Sequence, residues 1–163
     1  MERKYLAHFI DASMNGTTKN YVRLGKDLEE LNQELNPDVE QKKNILGENS
    51  VQHNGYEVSS EIEPLYYTTD ANTDNTALST VLRDIAMNRK TGAACKTTMV
   101  DVWLNEDGTV DTAFRENVTI VPTSVGGDTS GIQIPFTVYY EGGRVEGTWD
   151  MSTKTFTAPS TNG

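Results

Sequence analysis

The chain carries one cysteine, two histidines, and fourteen lysines and arginines against twenty-four aspartates and glutamates. A single thiol, Cys95, allows no intrachain disulfide and no thiolate metal cluster, which suits synthesis in a reducing compartment. With only His8 and His53 as imidazole bases, and no Gly-x-Ser-x-Gly elbow, the material for a serine, cysteine or zinc site is missing. Both histidines therefore read as surface residues. No Walker A or Gly-x-Gly-x-x-Gly sequence is present, and the glycine pairs at 126–127 and 142–143 lie between predicted strands, not ahead of a phosphate-holding helix. The N-terminal apolar stretch from Tyr5 to Ile10 is interrupted by His8 and is too short for a signal-peptide core or a membrane span. The expectation is a soluble chain made in the cytosol, with no membrane binding. A formal charge of −10 opposes gripping of nucleic acid, because that affinity comes from lysine and arginine displacing phosphate counterions. These absences predict a protein that is not an enzyme and needs no cofactor or metal.

What is present suits one domain: 163 residues, 36% hydrophobic and 23% charged, enough to bury a core without covalent staples. Leu78, Val81, Leu82 and Ile85 fall on one face at helical spacing, which predicts a helix over about 75–90. Asp74 or Asn75 can cap its start, Arg89 and Lys90 meet the negative end of its dipole, and Gly92 can end it. Beyond it the pattern is β. Thr98, Val100, Val102 and Leu104 alternate with Met99, Asp101, Trp103 and Asn105, giving one core face and one mixed face. Asp107-Gly108 supplies a hairpin turn, a second strand runs from Phe114 to Val121, and residues 126–131 read as a flexible turn. Ile132, Ile134, Phe136, Val138 and Tyr140 then alternate around Pro135, and Glu141 to Arg144 is expected to turn the chain again. Ahead of the helix, Tyr56, Val58, Ser60 and Ile62 alternate as one more strand. The predicted fold is mainly β, an antiparallel β-sandwich or half-barrel with one flanking helix. It is a single domain over 1–163 with a flexible N-terminal segment (about 1–18) and a loose tail (158–163).

Residues 26–36 are ambiguous. Leu28, Leu31 and Leu35 have helical spacing, yet Asn32, Asn36 and Pro37 punctuate the stretch and no capping pair frames it. Other candidate constellations are weak. Asp70, Asn72 and Asp74 resemble the start of a calcium loop, but Asn75 stands at the glycine position and Val81 at the bidentate glutamate position. Glu57, Glu61 and Glu63 lie on an alternating strand with no apolar pocket to raise a pKa, which reads as a solvated face.

The run YVRLGKDLEELNQELNPDVEQKKNILGENS, then NGYEVSSEIEP, a helix beginning TALSTVLRDI, TTMVDVWLNEDG and IPFTVYYEGGRVEGTWD resemble, in wording and order, the tail tube (major tail) proteins of long-tailed bacteriophages and prophages of Gram-positive hosts. The resemblance spans about Tyr5 to Phe156 and includes no catalytic signature. It implies six copies closing a ring by pooling strands into an inner β-barrel, with rings stacked into a tail tube. Related tube folds occur in contractile tails, type VI secretion tubes and bacteriocins. The implied location is the virion tail, assembled in the bacterial cytoplasm. The implied partners are further copies of the chain, a tape-measure protein, and tail-terminator and tail-tip proteins, while DNA slides through without sticking.

In such proteins the region after residue 30 is similar to a strand, turn and long arm (about 37–55) reaching a neighbour, so Leu31, Leu35, Pro37, Ile45 and Leu46 become candidate arm contacts. Glu34, Glu40, Glu57, Glu61 and Glu63 become candidates for an acidic lumen. The charge of −10 per chain also predicts that screening by salt favours assembly. The competing reading is a monomeric β-sandwich that binds a ligand such as carbohydrate on a platform of Tyr66, Tyr67, Tyr139, Tyr140 and Trp149. A free-standing module has little use for the polar arm, which separates the two.

Overall fold

The computed structural model describes residues 1–25, 28–64 and 73–160, the side chains of residues 73–75 excepted. In chain order the strands are β1 (Leu6–Asp11), β2 (Tyr21–Leu24), β3 (Pro37–Lys43), β4 (Asn49–Tyr56), β5 (Ser59–Ile62), β6 (Lys96–Leu104), β7 (Val110–Pro122), β8 (Gly126–Asp128), β9 (Gly131–Gln133), β10 (Phe136–Asp150) and β11 (Thr155–Thr157). One helix, α1 (Thr73–Met87), lies between β5 and β6. The main sheet is antiparallel, runs β11-β10-β7-β6-β1-β2, and curls into a half-barrel; β5 pairs with the start of β10 on the side away from β7. The hairpins β3–β4 and β8–β9 stand apart from it.

The central strands are buried on both faces. Neighbouring residues of a strand point to opposite sides, and Ile10, Val22 and Met99 belong to one hydrophobic cluster while Phe9, Tyr21 and Val100 belong to the other. The first cluster is covered by α1 through Leu78 and Leu82, with Ala77 and Ala86 against it, the second by Trp149 with Phe156 at its margin. The mixed face expected for β6 is therefore a second core face, and its polar member Asp101 is buried with it.

The N-terminal segment departs from expectation. Far from being flexible, β1 is an inner strand paired with β2 and β6, and all its residues after Leu6 are buried. The short apolar run that fails as a membrane span is the right length for a buried strand. The Glu141–Arg144 stretch is another correction. It does not reverse the chain, since β10 continues through it against β7 with register shifts between Tyr140 and Val145. Gly142 (φ +98°) and Gly143 (φ +66°) supply the backbone geometry of these bulges. Residues 126–131, read as a flexible turn, carry the short hairpin β8–β9.

The helix closes three residues before the expected end. Lys90 N–H donates to Ile85 O (3.0 Å) and Arg89 N–H to Ala86 O (3.4 Å), with Arg89 at φ +53°, the pattern of a Schellman cap built on a non-glycine residue. Glycine carries no Cβ penalty in that conformation. Arg89→Gly should therefore raise stability by about 0.5–1 kcal/mol, read as a higher denaturant midpoint at unchanged slope.

Candidate assembly interface

Residues 28–36 form neither a helix nor a continuous strand. They are a strap laid over the rim of the first core and tied at several points. Leu31 is 7% exposed and belongs to the first hydrophobic cluster, so it is not an arm contact, a placement that the helical and arm readings both missed. Glu34 and Ser59 exchange two backbone hydrogen bonds, Glu34 N–H to Ser59 O (2.8 Å) and Ser59 N–H to Glu34 O (3.0 Å). At the strap's end Asn36 sits at φ +44°, and its Nδ2 donates to Glu57 O at 3.0 Å.

Beneath the strap runs a polar chain whose centre, His8 and Asp101, is buried. Arg3 Nη2 donates to Leu31 O and to His8 Nε2, both at 2.9 Å. A guanidinium only donates, so Nε2 accepts and the His8 proton sits on Nδ1, 2.6 Å from Asp101 Oδ1. The other Asp101 oxygen accepts from Gln33 Nε2 at 2.5 Å, and that amide also donates to Tyr140 Oη at 3.1 Å. His8 is 4% exposed, which corrects its surface reading: a polar residue in an inner strand is paired across the sheet with Asp101. His53 lies on the exposed arm. Burial, with Asp101 nearby, pushes the Tyr140 phenol far above its ordinary range. No sequence signal marked Gln33 or Arg3; the signal for Asp101 was its position between Val100 and Val102.

Close by, Glu116 is held above the ordinary carboxylate range by burial, opposed by Arg144 at 3.5 Å. A folded pKa above the unfolded one stabilises in acid, and that stability is lost as pH rises through the folded value. The gap in stability between Glu116→Gln and the unaltered chain should therefore shift in favour of the glutamine as pH rises above 4.5, measured as urea midpoints across a pH series.

The arm itself is a β-hairpin. Among the described residues β3 and β4 pair only with each other, and every residue of the two strands is exposed except half-buried Gly55. At its tip Asn44 Oδ1 accepts from the N–H groups of Leu46 and Glu48, both at 2.9 Å, and Gly47 takes φ +79°. Ile45 (102% exposed) and Leu46 (77%) project from this turn, and Pro37 and Leu35 sit exposed at the base. Val39 and Val51, diagonal neighbours on one face, and Tyr56 are also exposed, three apolar residues the sequence reading did not include.

The five candidate lumen carboxylates do not share one place. Glu34, Glu61 and Glu63 line a groove of about 750 Å³ together with Glu29, Glu30 and Leu28. Glu40 lies on the hairpin 3.4 Å from Lys42, and Glu57 is at the hairpin base, its N–H donating to Asn36 O at 3.3 Å. Glu29 and Glu30 went unpicked because they belong to the ambiguous stretch.

The aromatic platform is not formed by its described members. Tyr139 is exposed, Tyr140 points its hydroxyl into the polar chain, and Trp149 is buried against Phe9 (4.6 Å between ring centres) and Tyr21 (5.3 Å). Tyr66 and Tyr67, with Asp70, Asn72 and the side chain of Asp74, lie outside the described residues. Among the described residues no three histidine, cysteine or carboxylate side chains are placed to hold a metal, and no helix is long and apolar enough to cross a membrane.

The overall fold of the chain is shared by solved structures. No protein-family model matches the chain, and no curated protein matches it. The sheath/tube terminator of an extracellular contractile injection system, PVC, seen in its extended state, is similar with TM-score 0.54 at 10% identity, over 91% of this chain and 96% of that one. The tube-terminating cap of the anti-feeding prophage is similar with TM-score 0.54 at 11% identity, over 91% of each chain. At such identities the likeness shows a common fold. The chain has the fold of proteins that end the tubes of phage-tail-like particles.

Proposed function

We propose that the chain is a ring-forming structural subunit of a phage tail, with rings of six stacked into a tube through which DNA passes. The observation that carries this reading is the hairpin. An isolated two-stranded ribbon is at best marginally stable in water, and this one exposes Val39, Ile45, Leu46, Val51 and Tyr56 with no face buried in its own chain. Exposed apolar residues on a detached element suit a surface that a neighbour covers. The sheet adds a second argument: it ends in the edge strand β2 on one side and in β5 and β11 on the other. Open edges are an aggregation hazard in a monomer and a route to closure in a symmetric ring. The chain makes and breaks no bond in this role. Assembly takes place in the bacterial cytoplasm around a tape-measure protein, between terminator and tail-tip proteins.

The sequence resemblance supports the tube of a non-contractile tail of a Gram-positive phage. The fold neighbours, a sheath/tube terminator and a tube-terminating cap, support a second reading, a ring that terminates a tube, in a contractile particle. Mass separates them. Sedimentation of the purified chain should show a species of six 18.0 kDa subunits and, on concentration, a ladder of its multiples. A ring that never stacks would favour the terminator, and a monomer at every concentration would favour neither.

A further inference from the structure

The acidic groove lies at the foot of the hairpin: Glu34 and Asn36 of the strap and Ser59 of β5 are in its wall, and the same residues tie the hairpin's base. Five glutamates, Glu29, Glu30, Glu34, Glu61 and Glu63, face it around Leu28, and its described wall holds no lysine or arginine. At the far end of the hairpin two lysines stand together, Lys42 beside Glu40 at 3.4 Å and Lys43 next to the tip turn, which also holds Glu48. Lys42 and Lys43 are exposed beside the projecting Ile45 and Leu46, in a chain whose net charge is −10. Seven strand residues at about 3.3 Å each put the tip roughly 20 Å from the base, so it does not reach the groove of its own chain. We infer that the groove is the socket for the hairpin tip of a second copy of this chain, the lysine pair meeting the glutamates and the two aliphatic side chains settling on Leu28.

The inference rests on the ring-forming reading and says which surface its arm uses. A tip that meets the base of the next copy is a head-to-tail contact. Such contacts repeat without using up the free end, so a stack grows as long as copies are supplied. Opposite charges select the partner and the register in which it docks, even where each exposed pair contributes little affinity. The assignment also removes Glu34, Glu61 and Glu63 from the channel lining.

A charge exchange tests it. Lys42→Glu/Lys43→Glu makes the chain more acidic and Glu61→Lys/Glu63→Lys makes it less so, which means an effect of net charge alone moves the two in opposite directions. Each pair should raise the concentration needed for stacking, followed by light scattering at low ionic strength, by about tenfold, a change of about 1.4 kcal/mol per contact. Both pairs combined in one chain should restore it to within about threefold. All four positions are exposed, so thermal midpoints should stay within a degree or two of the unaltered chain. If the lysine reversal leaves stacking intact, or the combined chain fails to recover, the socket is wrong while the ring-forming reading stands. If Glu61→Lys/Glu63→Lys stacks normally and the particles now retain added duplex DNA, these carboxylates line the channel and the socket is overturned. If the unaltered chain assembles under no condition, the ring-forming reading falls and the socket falls with it.

Discussion

A chain in which residues 37–56 are replaced by two glycines should fold with an unchanged thermal midpoint and form no tubes. The stability half follows from the hairpin's isolation: its strands pair only with each other, and none of its residues belongs to either hydrophobic cluster. The ends to be joined are already neighbours, Glu57 N–H being 3.3 Å from Asn36 O, so two glycines span the cut in a tight turn. The strap remains tied through the Glu34–Ser59 pair. The assembly half follows from the proposal that the hairpin carries the contact between rings. Circular dichroism on heating, with light scattering of concentrated samples, reads both. Tubes from the shortened chain would remove the hairpin from the mechanism, and loss of folding would show that it supports its own domain.

Asp101→Ala should have the opposite character, a loss of stability of about 2–4 kcal/mol. Both Asp101 oxygens are committed, one to His8 Nδ1 and one to Gln33 Nε2, and the residue is 4% exposed. Removing it leaves the buried His8 Nδ1–H without an acceptor, at about 1–3 kcal/mol, and leaves the half-buried Gln33 amide with Tyr140 Oη alone, beside the Arg3 guanidinium that His8 helps to place. Against a total of about 5–15 kcal/mol for a domain of this kind, the loss is a large fraction. Asp101→Asn, which keeps a carbonyl for one donor, should fall between. The strap should also loosen, since Gln33 is one of its ties, and this would appear as faster amide exchange over residues 28–36 than over β6. Equal protection in the variant and the unaltered chain would mean that Leu31 and the Glu34–Ser59 bridge hold the strap alone.

Elements whose pattern a single chain can explain were readable from the sequence. Helix α1 announced itself because Leu78, Leu82 and Ile85 share one face; all three are buried, Leu78 and Leu82 in the first core. Strand β6 was placed correctly, but its mixed face concealed a second core face: Met99 and Asp101 lie inside, and a buried aspartate looks like a solvated one until His8 and Gln33 are brought to it from distant parts of the chain. The N-terminal strand failed as a prediction for the same reason, since His8 breaks the apolar run and its partner Asp101 is distant in sequence, while Asp11 is satisfied by the turn that follows the strand. Asp11 is fully buried and collects Ser13 Oγ at 2.6 Å and the N–H groups of Ser13 and Asn20, both at 3.0 Å. Gly142 and Gly143 were misjudged because a glycine pair suits a bulge as well as a turn, and only pairing with β7 decides between them.

The candidate interface was legible in part. An arm over residues 37–55 was expected from the resemblance, and it exists as β3–β4 with Ile45 and Leu46 at its tip. Leu31 was drawn into the arm because helical spacing, strand spacing and a core anchor all accommodate a leucine at that position. The grouping of Glu34, Glu61 and Glu63 in one groove, and the exclusion of Glu40 and Glu57 from it, depend on where β5 crosses the strap, which no local pattern encodes.

The central claim is that this chain builds a hollow tube from stacked rings, and electron microscopy of negatively stained, concentrated protein at low and high salt tests it most directly. The account predicts rings or uniform tubes with a stain-filled centre, more abundant when salt screens the charge of −10 on each chain. Compact particles of monomer size at every concentration and salt level, alone and with tail-tip components added as an initiator, would contradict it.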